Sequence, residues 1–198
     1  VHNETSTGVM NPLADIAEVM EKYPDVLFVV DTVSSFSATP TPVDELGIDV
    51  LLAGCQKALA MPPGLTVFTV SEAALERAAA MDDRGYYFDF VEFKKNQENF
   101  MTPSTPCISL IYALVSKLED IFTEGLDSRY QRHCTTNEMV HGWIADNGFE
   151  HFAPEGSRSV TLTCAANNRG IDLGEWNKLL KSEHHLMING GYGKIKGK

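Results

Sequence analysis

An aspartate and a lysine stand at the ends of two apolar runs in this chain of 198 residues. Asp31 closes the run 27–30, and Lys57 follows shortly after the run 48–53. Short apolar runs that break off into polar residues are typical of buried parallel strands. In open α/β sheets, ligands bind at the carboxyl ends of the strands. We therefore interpret the two opposite charges as a pair that holds one ligand from two sides.

The chemistry open to this pair is that of an aldehyde cofactor with a basic ring nitrogen. Burial beside a sheet edge favours a neutral lysine, and a neutral amine condenses with an aldehyde to form a Schiff base. A carboxylate facing a pyridine nitrogen keeps that nitrogen protonated, so that the ring accepts electrons. Pyridoxal phosphate needs both groups. The alternative is that Asp31 caps a turn and Lys57 reaches into solvent.

Composition and charge exclude several classes of protein. The chain carries 16 Lys and Arg against 27 Asp and Glu, a formal net charge of -11, which argues against a nucleic-acid-binding surface. The four cysteines form no CxxC pair, and we expect a reducing, cytoplasmic environment. No apolar run approaches the ~20 residues that span a bilayer, so no membrane partner is expected. We predict no metal ligands.

The order of the predicted elements indicates an α/β fold. We predict strands at 27–31, 48–53 and 65–70, with helices over about 13–23 and 71–80. Strands that alternate with helices at this spacing imply βαβ units and a mainly parallel sheet with flanking helices.

The second half of the chain has a different pattern. Long helices are predicted from Ile108 and over 126–146. A strand at 160–164, a helix at 172–181 and a strand at 186–188 predict the start of a smaller α+β domain. The aromatic cluster at 86–90 lies in a stretch, 82–99, that we expect to be irregular with one helical piece. Such clusters more often lie under a neighbouring subunit or loop than take part in chemistry.

Four ordered motifs resemble the class V pyridoxal-phosphate-dependent aminotransferases, and within them the alanine/serine–glyoxylate (serine–pyruvate) branch. The motifs are His2 to Gly8, Val30 to Ser35, Gly54 to Leu59 with Pro62 to Gly64, and Thr102 to Pro106 with Ile108 to Leu110. The resemblance covers nearly the whole chain. It implies fold type I and a homodimer with active sites at the subunit boundary.

The same resemblance implies a domain organisation. Residues 1–106 match the C-terminal part of the large cofactor-binding domain, and residues 107–198 match an interdomain helix with part of the small C-terminal domain. The family's phosphate-binding loop and stacking aromatic residue would precede Val1, and its substrate-carboxylate arginine would follow Lys198. Arg158 and Arg169 come too early for that arginine. We therefore expect an internal portion that lacks both ends.

Site roles follow from the resemblance position by position. Lys57 matches the lysine that holds the cofactor as a Schiff base and shuttles a proton, and Asp31 matches the partner of the ring nitrogen. Thr5 matches the hydroxyl that bonds the ring's phenolic oxygen, Val33 a side chain packed on the ring, and Gln56 a phosphate neighbour. Two further residues resemble the segment that reaches the phosphate of the other subunit's cofactor: Thr102 and Thr105, of which Thr105 fits better.

Each of these residues also has a plain structural interpretation. Thr5 is placed to cap the following helix, as are Ser6 and Thr7. Val33 would then belong only to the core, and Gln56 would satisfy backbone groups at a strand end. Three other residues suggest chemistry by type alone: His2, which we expect to order its turn, and Cys55 and Cys107, which we expect to be small packed residues.

The predicted activity is transamination. An amino acid of the alanine or serine type gives its amine to the cofactor, and a 2-oxo acid such as glyoxylate or pyruvate collects it. The first alternative is a noncatalytic remnant that keeps only a dimerising fold. The second is a class V cysteine desulfurase or lyase. It is disfavoured because a histidine is expected before the lysine and a glutamine after the aspartate, where this chain has Cys55-Gln56 and Thr32-Val33.

Overall fold

The computed structural model describes all residues from 1 to 198, which form two compact units. Unit 1 comprises residues 1–3 and 11–131, and unit 2 comprises residues 4–10 and 132–198. The domain boundary that we expect between residues 106 and 107 stays a prediction.

The strands are short and come in groups, and the helices α2 to α5 follow one another in the middle of the chain. The helices are α1 (Leu13–Met20), α2 (Glu72–Ala79), α3 (Phe90–Gln97), α4 (Ile108–Glu124), α5 (Leu126–Asp146) and α6 (Leu173–His184), with a 3-10 turn at Gly193–Ile195. The strands are β1 (Asn3–Glu4), β2 (Val9–Met10), β3 (Val29–Asp31), β4 (Val50–Gly54), β5 (Thr66–Val70), β6 (Glu150–His151) and β7 (Ala165–Ala166). None of the helices combines the length and apolar character that crossing a membrane requires.

A three-stranded sheet in the order β3-β4-β5 organises unit 1. Strands β3 and β4 are parallel, as expected, with Asp31 opposite Leu52. Strand β5 runs antiparallel to β4, with Thr66 opposite Gly54, so the sheet is mixed. A parallel return needs a crossover connection of about a dozen residues or more. The segment 55–65 between β4 and β5 is shorter than the segment 32–49 that joins the parallel strands β3 and β4. Turns close this connection instead.

Two apolar clusters fix the strands and the turn that follows β4. Val30 and Leu51, neighbours in the sheet, pack with Leu13 and Ala17 of α1. The second cluster lies beyond the end of β4 and combines Cys55, Leu59 and Met61 with Ile121 of α4. The residues on either side of Lys57 are therefore anchored in the core.

Helix boundaries in unit 1 follow their capping residues. The Ser71 hydroxyl accepts the N–H of Ala74 and begins α2. The Asp89 carboxylate accepts the N–H groups of Val91 and Glu92, so the single helical piece expected within 82–99 is α3. Gly125, at φ 83°, separates α4 from α5.

Two strands predicted in unit 2 do not form. Within 160–164, the Ser159 hydroxyl accepts the N–H groups of Thr161 at 3.1 Å and Leu162 at 3.3 Å, and this local turn replaces strand pairing. Strand β7 comes just after this stretch and pairs with β6. Within 186–188, the amide side chain of Asn177 binds both the N–H and the C=O of Ile188, so these groups are not available to a strand.

A pair of histidines makes the stability of unit 2 depend on pH. The rings of His141 and His151 pack edge to face with centroids 4.4 Å apart. Burial, and then the charge of Arg158, lowers the pKa of both histidines below the usual 6.5, while Glu138 raises that of His141 slightly. The unfolded chain therefore binds protons first as the pH falls, and the free energy of unfolding decreases.

We expect the urea midpoint to hold steady above about pH 7.5 and to fall as the pH drops below about 6.5, the ordinary pKa of an unfolded histidine. Chemical denaturation followed by circular dichroism at a series of pH values measures this. The variant His151→Phe removes one titrating ring and should make the urea midpoint less dependent on pH. The variant His184→Phe, at the exposed end of α6, should leave that dependence unchanged. An unchanged slope in His151→Phe would refute this origin of the pH dependence.

Candidate functional site

The carboxyl ends of β3 and β4 bring Asp31 and Lys57 to one edge of the sheet. The strands are parallel neighbours, Asp31 is the last residue of β3, and Lys57 lies in the turn that begins directly after Gly54. Asp31 is half-buried and Lys57 is exposed. The acid and the amine therefore follow adjacent strands at the same edge, which is where α/β sheets bind ligands.

The carboxylate of Asp31 is held by a single hydrogen bond within the chain. Its Oδ1 accepts the N–H of Val33 at 2.8 Å, so the residue does cap a turn, as the alternative interpretation proposes. The C=O of Asp31 accepts the N–H of His2 at 2.8 Å. The hydrogen bond to Oδ1 thus sets the orientation of the carboxylate, and Oδ2 is left for a ligand.

A buried polar cluster supports the loop that leaves Asp31. The Ser35 hydroxyl lies 2.9 Å from Nδ1 of His2, and Thr32 donates its hydroxyl to the C=O of Leu52 at 2.9 Å. Ser35 and Thr32 are completely buried. Burial lowers the pKa of His2. His2 therefore orders its turn, as interpreted above, and its ring supports the loop through Ser35.

The turn that carries Lys57 is closed by backbone hydrogen bonds. The N–H of Ala60 binds the C=O of Lys57 at 2.8 Å, and the N–H of Met61 binds the C=O of Cys55 at 3.1 Å. Leu59 is almost fully buried. The expectation that Lys57 is itself buried is wrong. The side chains of Cys55 and Leu59 point into the core, and the lysine between them is exposed. The amine is therefore accessible on a rigid backbone.

Val33 and Gln56 lie at the same sheet edge. Val33 follows Asp31 by two residues and is half-buried. Gln56 is exposed, and its side-chain amide folds back against Gly54, where a Cβ would collide with Oε1. The structure thus brings together four of the predicted site residues: Asp31, Val33, Gln56 and Lys57.

The other predicted residues lie elsewhere in the chain. Thr5 belongs to unit 2, where it lines a cavity of about 480 Å³ with apolar residues such as Trp143 and Trp176. Thr102 and Thr105 are exposed in the segment before α4, and the Thr102 hydroxyl donates to the C=O of Ser104 at 2.6 Å. This segment presents hydroxyl groups to the outside of unit 1.

The cysteines divide between core and surface. Cys55 is fully buried, and its thiol donates to the C=O of Pro62 at 3.0 Å, as expected for a packed residue. Cys107 is exposed, so the expectation that it is packed is wrong; it precedes the first turn of α4. No disulfide forms.

The residues at the sheet edge fit pyridoxal phosphate by their chemistry. An exposed primary amine, a carboxylate with one unbonded oxygen and an aliphatic side chain lie on adjacent strand ends. No group of three side chains is arranged to hold a metal ion. Fold and site together define a class, an α/β protein whose sheet edge is equipped for a carbonyl cofactor.

Comparisons with known proteins agree with this class. The family model for class V aminotransferases matches residues 1–193. The chain is 40% identical to an uncharacterized aminotransferase of Methanocaldococcus jannaschii, over 100% of this chain and 52% of that protein. It is 34% identical to the serine–glyoxylate aminotransferase of Methylorubrum extorquens, over 100% of this chain and 51% of that protein. The solved structure of an alanine–glyoxylate aminotransferase from Nostoc superposes with a TM-score of 0.92 at 32% identity, over 100% of this chain and 53% of that one.

The chain belongs to the class V aminotransferase family. This confirms the family and the fold type I α/β architecture predicted from the motifs. The chain spans about half the length of the curated relatives that it matches.

Proposed function

We propose that this chain carries the lysine and aspartate of a pyridoxal-phosphate-dependent transamination. The amino donor would be of the alanine or serine type, and the acceptor a 2-oxo acid such as glyoxylate or pyruvate. One observation carries the proposal: the parallel pairing of β3 and β4 puts Asp31 and Lys57 at one sheet edge. Family membership supports pyridoxal phosphate as the cofactor.

Pyridoxal phosphate, when bound, supplies an aldehyde that takes up amines and a ring that accepts electrons. The amine of Lys57 would hold the group and would carry a proton at Nζ to and from the reacting carbon. Oδ2 of Asp31 would keep a proton on the ring nitrogen, while the hydrogen bond from Val33 to Oδ1 fixes the plane of the carboxylate. Val33 would pack against the ring, and Gln56 would be a neighbour of the phosphate.

The resemblance gives roles to three further hydroxyl residues. Thr5 would bond the phenolic oxygen of the ring. Thr105, or Thr102 in the same segment, would reach the phosphate of the cofactor in a second subunit, in keeping with the exposure of both side chains. A cytoplasmic location is proposed from the four unpaired cysteines.

A two-step spectroscopic assay tests the transamination. The full-length protein, loaded with pyridoxal phosphate, is mixed with L-serine or L-alanine, and the visible absorbance band should disappear as the amine is transferred. Glyoxylate or pyruvate should then restore the band and yield the new amino acid. A band that no amino acid discharges would contradict the proposal. Formation of alanine from L-cysteine, with sulfide released when a thiol reductant is added, would instead indicate a desulfurase.

We also propose that the chain forms a homodimer through exposed aromatic residues of unit 1. Tyr86, Phe88 and Phe100 are 94%, 82% and 100% exposed, although large aromatic side chains normally bury most of their surface. All three lie between β5 and α4, as does the exposed threonine segment. A partner on this side would cover the aromatic residues and bring its cofactor near Thr105.

Phe100→Glu is expected to weaken the dimer, raising the dissociation constant at least about thirtyfold, the effect of losing an aromatic residue at an interface hot spot. Sedimentation equilibrium measures this constant. Tyr23→Glu is the matched control, because Tyr23 is also exposed but follows α1. Equal dissociation in both variants, or none in either, would contradict the proposed interface.

A further inference from the structure

A buried arginine on α5 connects the loops that follow β3 and β4. Arg129 is only 6% exposed. Its Nε donates to the C=O of Ser37 at 2.7 Å and to the Ser37 hydroxyl at 3.0 Å. Its Nη2 donates to the C=O of Ala58, the residue directly after Lys57. One guanidinium group therefore joins the loop leaving Asp31 to the turn carrying the lysine.

The charge of this guanidinium is compensated at the end of α4. Nη1 donates to Oε2 of Glu124 at 3.0 Å; the arginine side chain is buried and the glutamate side chain is half-buried. A buried cation without such a partner would strongly destabilise the fold. Each nitrogen of the planar group thus holds a different element, a geometry that arginine provides and lysine does not.

Both loops contain a residue whose backbone conformation is unfavourable by itself. Ser37 has φ 68° and Ala60 has φ 55°, in the left-handed region that residues with a Cβ disfavour. The C=O of Ser37 is one of the groups that Arg129 binds, and Ala60 lies in the same turn as Ala58. Hydrogen bonds from a charged, buried donor are strong enough to hold such conformations.

We infer that Arg129 is a positioning residue, which fixes the turn that presents the amine of Lys57 relative to the loop that leaves Asp31. Its role in the reaction rests on the proposed function, but its hold on the turn is a property of this chain alone. The residue does not touch the reacting atoms.

Amide hydrogen exchange in the cofactor-free, full-length protein tests the hold directly. In Arg129→Met, the N–H groups of Ala60 and Met61 should exchange at least about tenfold faster, because a hydrogen bond from a charged donor shifts a local opening equilibrium by that factor. Arg77→Met is the matched control, since Arg77 also donates to a backbone C=O, that of Asp25, at 3.0 Å. The control should leave the exchange of this turn unchanged.

The rate of Schiff-base formation provides a second readout. Mixing the cofactor-free protein with pyridoxal phosphate and following the visible absorbance should give a rate constant about tenfold lower in Arg129→Met than in Arg77→Met, because a mobile turn presents the amine in many orientations. Arg129→Lys keeps the charge opposite Glu124 but cannot bind both loops, so its rate should lie between the two. If Arg129→Met does not fold, the rate constant of Arg129→Lys decides whether Arg129 positions the turn that carries Lys57.

The outcomes separate the inference from the proposed function. Faster exchange confined to the two loops, with slower Schiff-base formation, supports the positioning role. Unchanged exchange at Ala60 and Met61, or an equal increase throughout unit 1, overturns it. If the unmodified protein forms no Schiff base at all, the proposed function fails, and the exchange experiment alone decides whether Arg129 holds the turn.

Discussion

Replacing Lys57 with alanine is expected to lower the transamination rate at least roughly a thousandfold, since in the proposed function the residue both attaches the cofactor and transfers a proton. The exposed turn around Lys57 makes a large structural effect unexpected, because the neighbouring anchors Cys55 and Leu59 remain in the core. Steady-state kinetics with serine and glyoxylate, together with circular dichroism, would measure both quantities.

Two further variants make the test of Lys57 specific. Lys57→Arg keeps the positive charge but cannot form a Schiff base, so it should be as inactive as the alanine variant. Lys117→Ala removes a half-buried lysine of α4 that pairs with Asp120 and should retain full activity. Substantial activity in Lys57→Arg would show that the amine is not the attachment point.

The second large effect is expected at Asp31. Asp31→Asn keeps an oxygen for the N–H of Val33 but removes the negative charge. In the proposed function the ring nitrogen would then lose its proton, and the transamination rate should fall about 10²–10³-fold. The thermal midpoint should change little because the hydrogen bond to Val33 is retained. A pre-steady-state measurement of the first half-reaction would place the loss in the chemical step.

Asp49 offers a matched control at the other end of the sheet. Its carboxylate accepts the N–H of Phe28 at 2.8 Å and the hydroxyl of Ser71 at 2.6 Å, just before β4 begins. Asp49→Asn should therefore lower stability while leaving the rate per folded molecule intact. If the two variants lose activity equally, the charge of Asp31 has no special role.

Much of the fold could be predicted from the chain because local patterns determine it. The bounds 126–146 predicted for a helix are those of α5, since Gly125 ends the preceding helix in the left-handed region. The strands before Asp31 and Lys57 also lie where their apolar runs indicate. These features depend on residues close together in the sequence.

Features that apolar patterns do not reveal could not be predicted in this way. The antiparallel return of β5 follows from a short connection made of turns, and the missing strand at 160–164 follows from local hydrogen bonds to the hydroxyl of Ser159. Arg129 was missed because it lies on a largely polar helix, where arginine is normally exposed. Its burial depends on Ser37, Ala58 and Glu124, which the folded chain brings to it.

Reduction of the cofactor-loaded, full-length protein with borohydride, followed by peptide mass analysis, tests the central claim most directly. Reduction turns a Schiff base into a stable secondary amine, so the lysine that binds the cofactor retains the pyridoxyl group and its added mass. We predict that the pyridoxyl group is found on the peptide that contains Lys57 and on no other. Attachment at a different lysine, or no added mass on any peptide, would contradict the account.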